Sequence, residues 1–368
     1  MSRPDAQPEQ IDTLTALRFF AAAWVVLFHY WPTLAAAGPA PAFISKGYLG
    51  VELFFVLSGF VISFVYQGAF ESGRFRYGGF VWARLARIYP LHLATLAGVA
   101  LLGLGAAAAG LSVGAEVLDP AALPANLLML HAWGLSPSAS FNHPSWSISA
   151  EWFAYLTFPA FAVVAARLKR RPGVAVAAAA ALVVWTYLIF ERLAGFPLTQ
   201  ATIHWGALRI VPCFALGCAL HLLWRAQPLK DPQIAWTGFA FSLAAIVVLG
   251  QIGAADALFT LVFGSLIFNL ACLWSTQAAR APAPFVWLGE VSFSTYMICV
   301  PWKLVFVNVA GVLGLADGGL PFALWLVMLL ALVPLSGLSH ALIERPARAW
   351  LKARSPFARE GATLQPAA

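Results

Sequence analysis

The sequence predicts an all-α polytopic membrane protein with about ten transmembrane helices. Of its 368 residues, 61% are hydrophobic and only 10% are charged, whereas a soluble domain has roughly 25% charged residues. The mean hydropathy is +0.81, and several continuous apolar runs reach the ~20 residues that cross a bilayer. These runs lack the alternation of a transmembrane barrel. The composition therefore excludes an ordinary soluble enzyme and a disordered chain.

The individual spans follow from the apolar runs, whose Gly and Pro residues are tolerated when neighbouring helices satisfy the backbone. The proposed spans are residues 15–35, 47–67, 89–111, 146–166, 173–190, 205–224, 234–251, 256–275, 286–311 and 320–341. The longest stretch between spans is 112–145, and its apolar piece, 126–133, is too short to cross. That piece is interpreted as a re-entrant segment, an interfacial segment or a packed loop.

The distribution of basic residues predicts the orientation. With the N-terminus inside, 17 of the 22 Lys and Arg residues lie on the inner side, while Lys46 and Arg192 lie outside. This is a strong positive-inside signal, and it places both termini in the cytoplasm. It also explains the net charge of +7 without nucleic acid as a partner. We expect a cytoplasmic N-terminal segment (1–14), a transmembrane domain (15–345) and a short basic cytoplasmic tail (346–368); the acidic N-terminus does not look like a cleaved leader.

Two ionisable residues lie in the first span, where a buried charge costs about 2.5–3.5 kcal/mol and marks a functional candidate. Arg18 and His29 are eleven residues apart, which puts them on one helix face, roughly 16 Å apart along the axis. Arg18 is either a snorkelling anchor or a functional cation. His29 either makes an interhelical hydrogen bond or acts as a general base, since imidazole exchanges protons near neutral pH.

Two acidic residues accompany later spans. Glu52 lies at the outer end of the second span, beside Gly50, Ser58 and Gly59, which allow close helix approach. Glu151 follows Ser147 by four residues, so that the two share a helix face. A helix cap accounts well for the serine but less well for Glu151, which continues into an apolar run.

Further basic residues fall in or beside spans. Arg84 and Arg87 form an Arg-x-x-Arg pair before the third span. They are either positive-inside residues alone or a grip on an anionic cytosolic ligand, because the planar guanidinium suits phosphate. Arg209 and Lys303 are buried cations whose acidic partners the sequence does not assign.

Several classes of site are not indicated. The chain has no Walker A loop, no G-x-S-x-G elbow, no H-E-x-x-H motif and no haem or iron–sulfur spacing. Its four cysteines all lie in apolar runs without a C-x-x-C pair, so neither a disulfide framework nor a metal site is predicted.

Taken together, the motifs resemble those of the acyltransferase family 3 membrane proteins. The run from Leu17 to His29 resembles that family's opening Arg-x10-His motif, and the run from Gly47 to Phe60 resembles its second-span block. Further blocks in the same order are Arg84-Leu-Ala-Arg-Ile-Tyr-Pro90, Ser145-Trp-Ser-Ile-Ser-Ala-Glu151, Leu288-Gly-Glu-Val-Ser-Phe-Ser-Thr-Tyr296 and Ile343-Glu-Arg-Pro-Ala-Arg348. Each block is weakly specific alone, but their order across nearly the whole chain is specific.

The resemblance implies a ten-span O-acyltransferase of the bacterial cytoplasmic (inner) membrane. Such proteins take an acyl group, usually acetyl, from cytosolic acyl-CoA and deliver it to a hydroxyl, often on a carbohydrate or lipid-linked glycan, at the outer face. It also implies functional roles for Arg18, His29, Glu52, Arg84, Arg87 and Glu151, with no metal. This chain departs from the family in having Glu52 where Asp is common and Cys299 where His is frequent.

The expected mechanism is acyl transfer across the membrane. Arg84 and Arg87, with Arg18, hold the phosphates of acyl-CoA. His29 is either the general base for the acceptor hydroxyl or a relay that carries the acyl group, and Glu151 or Glu52 orients it. The rival hypotheses are a proton-coupled exporter of a glycan or small molecule and a catalytically inactive scaffold.

Overall fold

The ten predicted spans are confirmed as helices. A computed structural model describes residues 10–35, 38–110, 114 and 117–357, and these ranges contain ten helices long and apolar enough to cross a membrane. They are α1 (Asp12–Tyr30), α2 (Gly50–Glu71), α3 (Tyr77–Ala108), α4 (Trp146–Leu168), α5 (Pro172–Ala194), α6 (Gly206–Ala226), α7 (Pro232–Gln251), α8 (Asp256–Ser275), α9 (Ser292–Val312) and α10 (Phe322–Ser339). The orientation of the bundle in the membrane stays a prediction.

The third helix is longer than predicted at its beginning. It starts at Tyr77 rather than near residue 89 and continues through Pro90. Proline lacks the N–H of a helical hydrogen bond, but membrane helices tolerate it. Arg84 and Arg87 therefore belong to the helix itself, which fixes their direction. The predicted end, residue 111, lies outside the described residues.

The last two predicted spans are divided. The segment 286–311 breaks at Val291 into a short helix, Ala283–Glu290, and α9. After α10, a π-helical turn, His340–Glu344, leads into a C-terminal helix, Arg345–Ala353. The predicted basic tail thus begins as a helix, and its remainder from 358 lies outside the described residues, as does 1–9 of the predicted N-terminal segment.

The connection before α4 is a packed loop, one of the three interpretations of its apolar piece. Asn126, Met129 and His131 are buried in it. The ring of His131 stacks on that of His92 in α3, with centroids 5.7 Å apart, and its Nε2 lies 3.0 Å from Ser145 Oγ. Burial lowers the pKa of His131 to about 3. The loop therefore positions the beginning of α4 from inside the protein.

Glycines bring α2 and α6 into backbone contact. A side chain on Gly59 would collide with the backbone of Phe214, and one on Gly217 with the backbone of Val56. Gly50 similarly faces the backbone of Ala21 in α1. The close helix approach expected from Gly50 and Gly59 is confirmed, and it follows the small-residue packing of membrane helices.

Candidate active site

A cavity of about 600 Å³ lies among α1, α2, α3, α4, α9 and the segment after α10. Its wall carries six basic side chains and three carboxylates. The basic residues are Arg18, Arg84, Arg87, Arg345, Arg348 and Lys352, and the acidic ones are Glu151, Glu290 and Glu344. The cavity thus brings together four residues that the sequence singled out: Arg18, Arg84, Arg87 and Glu151.

The three arginines of the predicted donor site are incompletely paired. Arg18 makes no hydrogen bond, and no ion pair within 4 Å, with another described residue. Arg84 Nη2 donates to Tyr66 Oη at 3.3 Å, while its Nε is buried without a partner in the described chain. Arg87 Nη1 lies 3.4 Å from Glu344 Oε1. Guanidinium N–H groups therefore remain for an anion.

Glu344 is a residue of this site that the sequence reasoning did not single out. It closes the π-helical turn and is 1% exposed. Its Oε2 accepts from Ser294 Oγ at 3.0 Å and lies 3.1 Å from His340 Nδ1. Its Oε1 faces Arg87. The late block that contains Glu344 was the available signal, and π-turns occur frequently at functional sites.

Glu151 is held by two hydroxyl groups. Its Oε1 accepts from Ser58 Oγ at 2.8 Å and from Tyr155 Oη at 2.6 Å. Tyr155 lies one turn later on α4, whereas Ser58 belongs to α2. The carboxylate is therefore fixed on the cavity wall, and neither hydroxyl partner was identified from the sequence.

The deep end of the cavity is closed by Tyr296, Ser147 and Pro144, here called the closing layer. Tyr296 Oη donates to the Pro144 carbonyl at 3.0 Å and accepts from Ser147 Oγ at 2.8 Å. Both side chains are buried and line the cavity. Ser147 thus shares a helix face with Glu151, as expected, and it also joins α4 to α9.

His29 lies beyond the closing layer and is absent from the wall of the cavity. The Lys303 ammonium donates to the His29 carbonyl at 3.3 Å, and Lys303 and His143 are its charged or titratable neighbours. Along α9, Lys303 is seven residues past Tyr296, which is about 10 Å. The lining of this cavity therefore does not include both His29 and the arginines.

Glu52 is placed elsewhere, in the interface between α2 and α6. Its Oε1 lies 2.5 Å from Arg209 Nε, and the two side chains are 0% and 2% exposed. Arg209 also donates to the Ala201 carbonyl at 2.9 Å. In this structure Glu52 pairs with Arg209 and Glu151 with two hydroxyl groups. The role of either carboxylate in orienting His29 stays a prediction.

The arrangement is suited to binding an anion. The basic residues come from α1, α3 and the segment after α10, and the hydroxyl groups of Tyr296 and Ser147 also line the cavity. Guanidinium groups bind phosphate through paired donors. A bound phosphate group would offset the repulsion among cations that this cavity otherwise contains.

Comparisons with known proteins agree with these observations. The family model described as an acyltransferase domain matches residues 11–340. The chain is 31% identical to acyltransferase MdmB of Streptomyces mycarofaciens, over 95% of this chain and 94% of that protein. It is 26% identical to nodulation protein 10 of Rhizobium leguminosarum bv. viciae, over 90% and 91% of the two chains.

A more distant relative has a name that specifies the group it transfers. The chain is 23% identical to O-acetyltransferase OatA of Staphylococcus aureus strain NCTC 8325, over 93% of this chain and 58% of that protein. No solved structure matches the chain. Because the family match spans nearly the whole membrane domain, the chain belongs to the acyltransferase family 3 membrane proteins and is a multi-pass membrane acyltransferase.

Proposed function

We propose that this protein is an O-acyltransferase of the bacterial cytoplasmic membrane that takes an acetyl group from cytosolic acetyl-CoA. The acceptor is a hydroxyl of a carbohydrate, a lipid-linked glycan or another envelope molecule at the outer face. The observation that carries the proposal is the arginine-lined cavity, which lies in a chain that belongs to a family of acyltransferases. The O-acetyltransferase name of OatA supports the hydroxyl acceptor and the acetyl group.

The donor enters from the side that the basic residues mark as cytoplasmic. Arg18, Arg84 and Arg87 bind its diphosphate, since their unpaired N–H groups face the same space. The uncharged pantetheine arm then extends toward the closing layer. Glu151, already fixed by two hydroxyl groups, accepts from an amide N–H of this arm and holds the thioester at the deep end of the cavity.

The chemistry takes place where the closing layer separates the cavity from His29. The His29 imidazole takes the proton of the acceptor hydroxyl, and the acceptor oxygen bonds to the thioester carbonyl carbon. The C–S bond breaks, and the proton passes to the CoA thiolate. This requires the Tyr296–Ser147 hydrogen bond to open, because Lys303, whose ammonium contacts the His29 carbonyl, lies about 10 Å past Tyr296 along α9.

Glu52 takes no part in these steps. Its carboxylate neutralises Arg209 inside the α2–α6 interface, where an isolated charge is strongly unfavourable. We therefore propose a structural role for Glu52 and a donor-positioning role for Glu151, in place of the imidazole-orienting role expected from the sequence.

The test uses purified protein in lipid vesicles with radiolabelled acetyl-CoA and a soluble glycan acceptor. Release of CoA that depends on the acceptor is expected from the native protein. His29→Ala should lose about 10²–10⁴-fold in turnover, the usual contribution of a general base. Arg87→Ala should chiefly weaken donor binding. Exposed His204 and Arg354 provide the matched controls, His204→Ala and Arg354→Ala.

Other outcomes separate the alternatives. Label that stays on acid-quenched protein, and is absent from His29→Ala, would assign the relay role to His29 instead of the base role. Flux of a glycan without CoA release would favour an exporter, and full tolerance of both His29→Ala and Arg87→Ala would indicate a scaffold.

A further inference from the structure

The C-terminal helix Arg345–Ala353 lies along the first turns of α3 and runs antiparallel to them. Three contacts establish this register. Glu344 faces Arg87, the Leu351 carbonyl accepts from Trp82 Nε1 at 2.9 Å, and the Phe357 ring packs on Gly78. Residue numbers in α3 decrease as those in the contacting C-terminal segment increase, so the two helices are antiparallel. The C-terminal helix forms one wall of the donor cavity.

The basic residues of this helix form one stripe that faces the cavity. Arg345, Arg348 and Lys352 are spaced i, i+3 and i+7, which places them on one helix face, and all three line the cavity. From Arg345 to Lys352 the stripe is about 10 Å long. It begins beside Arg87 and extends toward the beginning of α3, away from the closing layer.

The stripe concentrates positive charge beside the diphosphate site. Arg348 interacts electrostatically with Arg84 and Arg87. Lys352 interacts electrostatically with Arg348 and with the same two arginines. Arg348 Nε is a buried donor without a partner in the described chain. The nearest carboxylate, Glu344, is engaged by Arg87, Ser294 and His340. Positive side chains that lie close together repel one another, and the unpaired Arg348 Nε can still donate a hydrogen bond. Both features indicate a site for a further anion.

We infer that Arg348 and Lys352 form a second phosphate subsite, which binds the 3′-phosphate of the CoA donor. This inference rests on the proposed function. The donor carries its diphosphate and its ribose 3′-phosphate at one end and its uncharged acyl arm at the other. With the arm directed to the closing layer and the diphosphate at Arg18, Arg84 and Arg87, the 3′-phosphate falls on the stripe. The protein therefore discriminates CoA from carriers that lack this group.

The experiment compares binding of acetyl-CoA and 3′-dephospho-acetyl-CoA to the full chain in phosphatidylcholine nanodiscs. The native protein should prefer acetyl-CoA by about tenfold or more, the factor that one charge-assisted contact provides. Arg348→Gln/Lys352→Gln should reduce this preference to near unity without weakening the dephospho donor. Retained binding of the dephospho donor would show that the cavity of the double variant is folded. Arg354 is exposed, and Arg354→Gln is the matched control for the loss of a positive charge.

Equal binding of the two donors by the native protein would overturn the subsite while leaving the proposed function in place. Equal loss of both donors in the double variant would also overturn it, because the stripe would then attract anions without reading the 3′-phosphate. A native protein that binds neither donor would refute the proposed function itself. If the native protein in nanodiscs that contain phosphatidylglycerol binds the two donors equally, the phosphate bound by the stripe belongs to lipid, and the assignment is wrong.

Discussion

Breaking the Glu52–Arg209 pair is expected to destabilise the protein without altering its chemistry. The two side chains are 0% and 2% exposed, with Oε1 and Nε 2.5 Å apart. Glu52→Gln removes the negative charge and leaves the Arg209 guanidinium buried with uncharged partners only, namely the substituted amide, the Ala201 carbonyl and the Trp146 ring. Removing one partner of a buried ion pair costs about 3–5 kcal/mol.

The double substitution Glu52→Leu/Arg209→Met tests the cause of that loss. Replacing both charges by apolar side chains of similar volume is often neutral or stabilising by about 1–4 kcal/mol. We therefore expect the double variant to regain most of the stability that Glu52→Gln loses, and a double-mutant cycle measures the coupling. The assay is the fraction of monodisperse protein after heating in detergent, followed by CoA release per folded molecule.

The outcome decides between a structural and a catalytic role for Glu52. A structural carboxylate predicts reduced thermal stability with unchanged turnover per folded molecule, and recovery in the double variant. A Glu52→Gln protein that is as stable as the native chain but inactive would refute the reasoning, because the carboxylate would then act on a reacting group.

Three further outcomes follow from the structure. Gly217→Val should lower stability by more than about 1 kcal/mol, because its side chain meets the backbone of Val56, and thermal denaturation measures the loss. Burial lowers the pKa of His131 to about 3, so this side chain stays neutral in the folded protein. Its contribution to stability is therefore present above the unfolded pKa near 6.5, and the free energy of unfolding falls by about 2 kcal/mol between pH 7 and pH 5. His131→Gln should reduce this pH dependence. Tyr155→Phe removes a 2.6 Å hydrogen bond to Glu151 and should lower kcat/KM by about tenfold, with unchanged activity excluding a role for that contact.

The sequence located the spans and most of the cavity because both depend on local physical rules. Apolar length identifies a membrane helix, and an ionisable group within an apolar run is costly enough to be conspicuous. Arg18 and Glu151 were found in this way, Arg84 and Arg87 were found as an Arg-x-x-Arg pair, and the structure places all four in one cavity. The roles assigned to them remain predictions.

The partners of these residues could not be predicted from the sequence, because they come from distant parts of the chain. Glu52 meets Arg209 across 157 positions, and Arg87 meets Glu344, which lies in the π-helical turn after α10. Arg348 and Lys352 were assigned to a short basic cytoplasmic tail. The spacing of that tail is compatible with an amphipathic helix, but only the fold shows that this helix lies on α3.

The closing layer also determines where the membrane voltage acts. We expect a water-filled cavity that opens to the cytoplasm to carry the potential of that side inward, so that most of the voltage drop would fall across the residues around Tyr296. Moving one elementary charge through 100 mV involves about 2.3 kcal/mol. In the proposed reaction the phosphates stay on the near side of this barrier, the acyl group crosses it outward and the acceptor's proton crosses it inward, so that no net charge moves. The energised state of the cell therefore neither drives nor opposes the transfer.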